Sequence, residues 1–326
     1  MASSSRLVPF LGLPLLVAAL VACASAPPAR DASPPWPEER PDASLQTAIE
    51  AVVDGFGGRV GVYVRHLPTG RTAALDADSL FPTASTIKVP ILVATLDAVE
   101  RGALSWDEPL VFRDSLRYDD YGLVGLLQDS ARVAVHRLAE EMLSASDNNA
   151  SLWLQALSGG GARINELFAA QGYTGTRMNS RTPGRRGDWQ RYGWGQTTPR
   201  EMARLMREIV DRDVDVISPA ADEEMHRALT RTFYDDEIVS AVPPEVQVAS
   251  KQGAVSDSRS EVAYVHAPSG PYVIAVFTDG QTDTSWEPGN AGWELIREVA
   301  GIAWRAFEPA SDWRPAPGGD RFRLGE

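Results

Sequence analysis

The sequence predicts an α+β fold in which an antiparallel sheet, formed by both ends of the chain and flanked by helices, is joined to a helical lobe. Three observations predict it. Alternating, β-branched stretches fall near the two ends, within 59–75 and 246–278. The middle repeats apolar residues at helical spacing and carries glycine at the stops. Strand and helix do not alternate regularly, as a doubly wound parallel sheet requires. At 326 residues the chain buries a full core, as one large domain or two interleaved lobes, and the sequence carries no internal repeat.

Arg6 supplies a short basic start, and residues 7–22 form an apolar run too short and too interrupted by Pro and Gly to span a bilayer. The run ends Leu20-Val21-Ala22-Cys23, which resembles the lipobox of bacterial lipoproteins. That resemblance implies that residues 1–23 are a lipoprotein signal peptide and that Cys23 is lipidated. The alternative is an ordinary secretory signal cut near Ala24 or Ala26. Ala24 after the cysteine implies, by the same resemblance, the outer membrane of a Gram-negative cell. Either way the mature chain is expected outside the cytoplasm, in the periplasm. Cys23 is the only cysteine, so no disulfide forms within the chain. Residues 24–42, with Pro27, Pro28, Pro34, Pro35, Pro37 and Pro41, read as a semi-rigid tether.

The folded domain is expected over 43–309. Leu45, Ile49, Val52 and Val53 mark a helix stopped by Gly55. Residues 59–65 and 71–75 read as strands joined by the turn Leu67-Pro68-Thr69-Gly70. Ser85 then heads a helix marked by Ile87, Ile91, Leu92, Thr95 and Leu96 and closed by Gly102. Pro90 lies in its first turns, where a missing N–H costs least. Residues 103–131 have no clear period and include the acidic-aromatic patch Tyr118-Asp119-Asp120-Tyr121. Helices are expected over 133–143 and 149–157, with a break at Ser144-Ala145-Ser146.

Residues 159–161, all glycine, read as a flexible loop; no following Lys-Ser/Thr makes them a phosphate cradle. A short helix over 162–171 is stopped by Gly172. The stretch 172–198, rich in Arg, Gly and Trp, has the character of a functional loop. Thr198 caps a helix carrying Met202, Leu205, Met206 and Ile209. A strand over 246–250 leads into Lys251-Gln252-Gly253 at its end. Strands 261–266 and 272–278 follow, joined by a hairpin turn at 267–270. A helix over 293–307 closes the domain, and 310–326 is expected to be a disordered tail.

A formal net charge of −13 excludes nucleic acid and anionic membrane surfaces as partners, leaving the lipid anchor as the membrane contact. His66, His136, His226 and His266 are scattered, with no second histidine or cysteine at ligand spacing. Neither a metal nor another cofactor is expected.

Ser85 and Lys88, three residues apart, lie on one helix face a turn from each other. At a helix N-terminus, free N–H groups and the dipole favour a developing negative charge on Ser85. A buried Lys88 loses enough basicity to be neutral and to take the serine proton. The alternative is an N-capping serine beside a solvated lysine.

About sixty residues later comes Ser146-Asp147-Asn148, and just over a hundred further comes Lys251-Gln252-Gly253. In order and spacing these resemble the S-x-x-K, S-D-N and K-T-G motifs of class A β-lactamases and penicillin-binding proteins. The resemblance spans roughly 43–307 and implies a β-lactamase-like fold. It implies that Ser85 attacks an acyl carbon, Lys88 is the acylation base, and Ser146 relays a proton to the leaving nitrogen. Lys251 supplies positive charge for a substrate carboxylate. The backbone N–H groups of Ser85 and Ala254 form the oxyanion hole, and Asn148, Gln252 and Gly253 bind substrate. Arg259 is placed like the family's carboxylate-binding arginine, with a surface charge as the alternative; Asp147 braces its loop. The implied activity is β-lactam hydrolysis by a monomer on a small β-lactam or peptidoglycan-like substrate. A D-alanyl peptidase or esterase of the same fold, and a non-hydrolytic β-lactam or peptidoglycan binder, are the alternatives.

Two departures from the family pattern stand out. Gln252 replaces a small hydroxyl residue in the third motif. Class A enzymes also carry a Glu, followed by Leu-Asn, in the loop after Met178, where it activates the deacylating water. Here residues 179–188 read Asn-Ser-Arg-Thr-Pro-Gly-Arg-Arg-Gly-Asp and contain no Glu. Glu166 belongs to the preceding helix. Asp188 is the only carboxylate in the loop, either a substitute base or a salt-bridge partner of a nearby arginine. Slow deacylation is the expectation.

Overall fold

The computed structural model describes residues 36–214, 217–234 and 236–314, within the compact unit Ser33–Glu326. The signal segment, Cys23, most of the expected tether and the tail from 315 lie outside the described residues. Six strands form the main sheet in the order Arg40–Pro41, Arg71–Leu75, Arg59–His66, Tyr272–Asp279, Ser258–Val265, Val248–Val255. All neighbours are antiparallel except Arg40–Pro41, which pairs parallel with Arg71 and Thr72. The three N-terminal strands and the three C-terminal strands therefore form two adjoining blocks that meet where Arg59–His66 pairs with Tyr272–Asp279, and the lysine strand Val248–Val255 lies at the edge.

Alternate residues bury opposite faces of the sheet. Val62, Val64, Ile274 and Val276 pack with Leu45, Ile49, Leu295 and Val299 of the terminal helices Ala43–Val53 and Ala291–Phe307. Val262, Tyr264, Ala275 and Phe277 pack against the helical lobe. Each helix start has a physical cause. The Asp42 carboxylate accepts from Ser44 N and Leu45 N, and Asn290 caps Ala291–Phe307. Thr198 Oγ1 accepts from Glu201 N at 3.1 Å, with Pro199 in the first position of Pro199–Val210, as the sequence predicts.

Several boundaries differ from expectation. Residues 36–42 are docked onto the domain rather than serving as tether. Trp36 Nε1 donates to Asp211 Oδ2 at 2.6 Å, and Arg40 N donates to Gly70 O at 2.7 Å. The glycine run 159–161 is no loop: only Gly159, at φ 97°, is a connector, and Gly160–Ala170 is helical. Lys251-Gln252-Gly253 lies inside its strand, which runs on to Val255. Ser258-Arg259-Ser260 belongs to the next strand because its polar groups find buried partners. Ser258 Oγ donates to Thr278 O, Arg259 N to Thr278 Oγ1, and Ser260 Oγ to Thr83 O.

The unperiodic segments hold small elements. Pro109–Val111 pairs with Arg132–Ala134, and Phe81–Pro82, Gly195–Thr197 and Arg177–Met178 form a three-stranded sheet. Arg186–Tyr192 and Pro219–Leu229 are helices that periodicity did not reveal, although Ser218-Pro219 is a legible start signal. The fold also brings together two histidines forty residues apart. His226 Nε2 and His266 Nε2 lie 3.4 Å from each other, between that helix and the end of a sheet strand.

Candidate active site

Ser85 sits in a 3-10 turn, Ala84–Ile87, that runs directly into the α-helix Lys88–Glu100. Ala84, immediately before it, has φ +45°, a left-handed conformation that costs a non-glycine residue about 1–2 kcal/mol. Lys88 is fully buried one turn on, so the solvated-lysine alternative does not describe it. Its Nζ lies within hydrogen-bond distance of four oxygens: Ser85 Oγ at 3.0 Å, Ser146 Oγ at 3.1 Å, Ser146 O at 2.5 Å and Asn148 Oδ1 at 2.9 Å. Burial, reinforced by the nearby Lys251 charge, holds the Lys88 ammonium well below the usual lysine range, against the opposing pull of Asp147 and Asp119.

Ser146 lies between the helices Val135–Ser144 and Asn148–Leu157 with φ +57°, a second strained non-glycine position. That conformation lets its carbonyl and hydroxyl face Lys88 together. Asp147, next in sequence, fixes the turn: Oδ1 accepts from Ala150 N and Oδ2 from Val124 N, both at 2.9 Å. Its carboxylate is thus a buried brace. Lys251 Nζ reaches Ser146 Oγ at 3.1 Å from the opposite side. Burial pushes Lys251 down to about 7, against Glu261 and Glu237, which favour its charge. One serine hydroxyl is therefore shared by two buried lysines.

Gly253 explains how the edge strand reaches the Ser85 turn. A Cβ there would lie 2.7 Å from both Ser85 N and Thr83 O, so no side chain fits. Ser260 Oγ bonds Thr83 O at 3.1 Å and lashes the same turn to the sheet. Ala254 follows Gly253, which puts the two expected oxyanion donors on adjoining segments. The Gln252 amide is half-buried and makes no hydrogen bond among the described residues.

Asn148, Asn149 and Asp119 form a network that the sequence did not disclose. Asn148 Nδ2 donates to Asp119 Oδ2 at 3.0 Å, and Asn149 Nδ2 to Asp119 Oδ1 at 2.9 Å. Asn149 Oδ1 in turn accepts from Tyr118 N at 2.6 Å. The patch 118–121 is thereby fastened to the start of the helix Asn148–Leu157. The available signal was an Asn-Asn pair at a helix start, with an acidic loop upstream to receive it.

Two expected residues stand apart from this cluster. Arg259 is fully buried, neither a surface charge nor directed at Ser85, Lys88 or Ser146 by any contact among the described residues. Its guanidinium donates to Val255 O, Ser258 O and Ser285 O and lies between the Trp286 and Trp293 rings, 4.7 and 4.6 Å from their centroids. Asp188 lies in Arg186–Tyr192, partly exposed, with Oδ2 3.1 Å from Arg185 Nη2. Arg185 also donates to Asn179 Oδ1 at 2.7 Å and Gln196 Oε1 at 2.9 Å.

A cavity of about 580 Å³ opens between Tyr118, Leu152 and the loop 179–189. Asp and Glu are both absent from its described lining. The segment leading into that loop is held by Glu201, which accepts from the backbone N–H groups of Thr174, Gly175 and Thr176 and from Thr176 Oγ1.

A serine, two buried lysines and a second serine thus meet between a sheet edge and a helical lobe, in the order and spacing of the three motifs. The comparisons fix the family: the model of the β-lactamase enzyme family matches residues 44–307, and the chain belongs to that family. β-Lactamase VEB-1 of Pseudomonas aeruginosa is 21% identical over 274 residues, covering 81% of this chain and 90% of that protein. A β-lactamase of Streptomyces albus G is 28% identical over 241 residues, covering 68% and 73%. Among solved structures, PBP-A is similar at TM-score 0.74 and 29% identity, covering 84% of this chain and 99% of that one. An ancestral class A β-lactamase matches at TM-score 0.70 and 25% identity, covering 80% and 99%.

Proposed function

We propose that the protein opens β-lactams through an acyl-Ser85 intermediate and releases the product slowly. The observation that carries this reading is the Lys88 Nζ position, 3.0 Å from Ser85 Oγ and 3.1 Å from Ser146 Oγ. Neutral Lys88 takes the Ser85 proton as Oγ bonds to the lactam carbon, with the oxyanion facing the N–H groups of Ser85 and Ala254. The C–N bond then breaks, Ser146 gives its proton to the leaving nitrogen, and Lys88 returns the proton to Ser146. Lys251, when charged, receives the substrate carboxylate, assisted by the free Gln252 amide.

Slow release follows from the carboxylates the loop lacks. The cavity lining offers no Asp or Glu among the described residues, and Asp188 is engaged by Arg185. Losing a general base costs about 10²–10⁴-fold. A leucine-to-glutamate variant of PBP-A has been solved as an acyl-enzyme complex with penicillin G. That similarity supports acylation by a penicillin; the same acylation chemistry used on a D-alanyl peptide or ester is the second reading. A chromogenic cephalosporin and a fluorescent penicillin separate the cases. Fast turnover indicates an efficient β-lactamase, stoichiometric labelling with slow turnover is the expected result, and absence of both refutes β-lactam chemistry here.

The location belongs to the same proposal and rests on sequence. Cys23, at the end of the lipobox-like run, anchors the mature protein to the membrane facing the periplasm. Cys23→Ser should then move it to the soluble fraction or block its processing. An unmodified mature N-terminus at Ser25 or Pro27, found by mass spectrometry, excludes the anchor.

A further inference from the structure

The chain carries a strong negative balance, −13, yet residues 177–191 hold Arg177, Arg181, Arg185, Arg186 and Arg191 against the single acid Asp188. Three of these cations are occupied. Arg177 donates to backbone carbonyls, Arg185 holds Asn179, Gln196 and Asp188, and Arg191 lies over the Tyr192 ring. Arg181 and Arg186 have no hydrogen bond or ion pair among the described residues, and both line the cavity of about 580 Å³. Arg181 is held there with φ +49°, a conformation that its side chain alone does not favour.

The remaining wall is aromatic. Tyr118 is 50% exposed and Trp189 48%, and Trp194 meets Tyr118 edge-on at 5.3 Å between ring centres. Large rings and unpaired guanidinium groups around one concavity are the composition of a recognition surface for a planar or apolar group bearing a carboxylate. The cavity is also connected to the chemistry. Leu152 in its wall lies four residues after Asn148 on one helix, about 6 Å along the axis. Tyr118 is fixed by Asn149, and Gln196, which bonds both Asn179 and Arg185, pairs with Pro82 just before the nucleophile turn.

We propose that this cavity is a substrate subsite that takes a carboxylate-bearing acyl side chain of the group transferred to Ser85, with Arg181 and Arg186 receiving the carboxylate and Tyr118, Trp189 and Trp194 the apolar stem. This rests on the acyl-Ser85 reading for its purpose but not for its measurement. The occupant is therefore an acyl donor with two anionic ends: one carboxylate at Lys251 and another about one side chain away from the scissile bond.

The test compares two penicillins that differ only in whether the acyl side chain carries a carboxylate. Their affinities for Ser85→Ala protein, which cannot be acylated, are read by equilibrium dialysis and by quenching of tryptophan fluorescence. Acylation rates of the wild-type protein are measured alongside. Expected is a preference of about tenfold for the carboxylated ligand at low salt, reduced at high salt because both guanidinium groups are exposed. Arg181→Ala with Arg186→Ala should remove the preference, and Arg181→Glu with Arg186→Glu should reverse it. A preference of one, or one that survives the double reversal, overturns the subsite. If neither penicillin labels wild-type Ser85, the acyl-serine reading fails, and the affinity ratio still decides the subsite.

Discussion

Gly253 shows most directly how one side chain's absence builds the site. Any Cβ there meets two backbone atoms at 2.7 Å, and backbone cannot swing aside as a flexible side chain does. Gly253→Ala should cost about 1–3 kcal/mol in stability. It should also lower the acylation rate by about 10²-fold, the usual price of displacing reacting groups by an ångström; thermal denaturation and stopped-flow labelling measure the two. Lys88→Ala should slow acylation by about 10²–10⁴-fold with the fold retained. Titration adds a further expectation. Acylation needs Lys88 neutral and Lys251 charged, and burial depresses both. The second-order acylation constant should therefore rise as Lys88 deprotonates and fall above pH about 7 as Lys251 loses its charge. A flat profile from pH 6 to 9 would remove Lys251 as the charge that receives the substrate. At this scale Ser85, Lys88, Ser146 and Lys251 were legible, because short motifs at fixed spacing name them. Asp119 was not, because its link to Asn148 and Asn149 spans about thirty residues and exists only once the loop has closed. Arg259 was legible as a residue but not in its surroundings, since two tryptophans far along the chain enclose it.

Elements are held by buried polar clamps more than by local propensity. Glu201, in the third position after its cap, ties down three successive N–H groups at the start of the loop that leads to the cavity. Although burial raises its pKa, those backbone bonds and the Thr176 hydroxyl outweigh it and leave the carboxyl below its ordinary value. Glu201's contribution is accordingly present above the unfolded carboxyl value and lost as pH falls through the folded one. Glu201→Gln should destabilise by on the order of 2–3 kcal/mol near neutrality, and by progressively less in acid. The His226–His266 pair gives a second pH signature. Burial depresses both imidazoles, so the unfolded chain binds protons first; stability is full above about pH 6.5 and declines as pH falls below it. His226→Asn should flatten that decline in urea titrations, and an unchanged slope would assign it elsewhere. The sequence showed the strands, the capped helix from Pro199 and the break at Ser146. It failed where turn-like residues are buried: Ser258-Arg259-Ser260 is a strand because neighbouring strands and the Thr83 carbonyl supply its hydrogen bonds, and no local rule contains them.

At the scale of the molecule, strand blocks from both ends join in one sheet and hold the edge strand against a helical lobe that carries Ser85, Lys88 and Ser146. The α+β class and the position of the lobe were readable from where alternation and helical spacing occur. The docking of residues 36–42 was not, because a proline-rich composition gives no hint of Trp36 reaching Asp211. The same architecture separates the two halves of the reaction. In the proposed mechanism acylation draws on groups converging at Ser146, whereas release depends on the loop 179–189, whose single acid is paired to Arg185. Intact-protein mass spectrometry after a penicillin is added tests this division most directly. The prediction is one adduct with the mass of the whole β-lactam, placed on Ser85 by peptide mapping, absent from Ser85→Ala protein and persisting for minutes. An adduct that forms equally on Ser85→Ala, or rapid turnover with no persistent adduct that also survives Asp188→Asn, would contradict it.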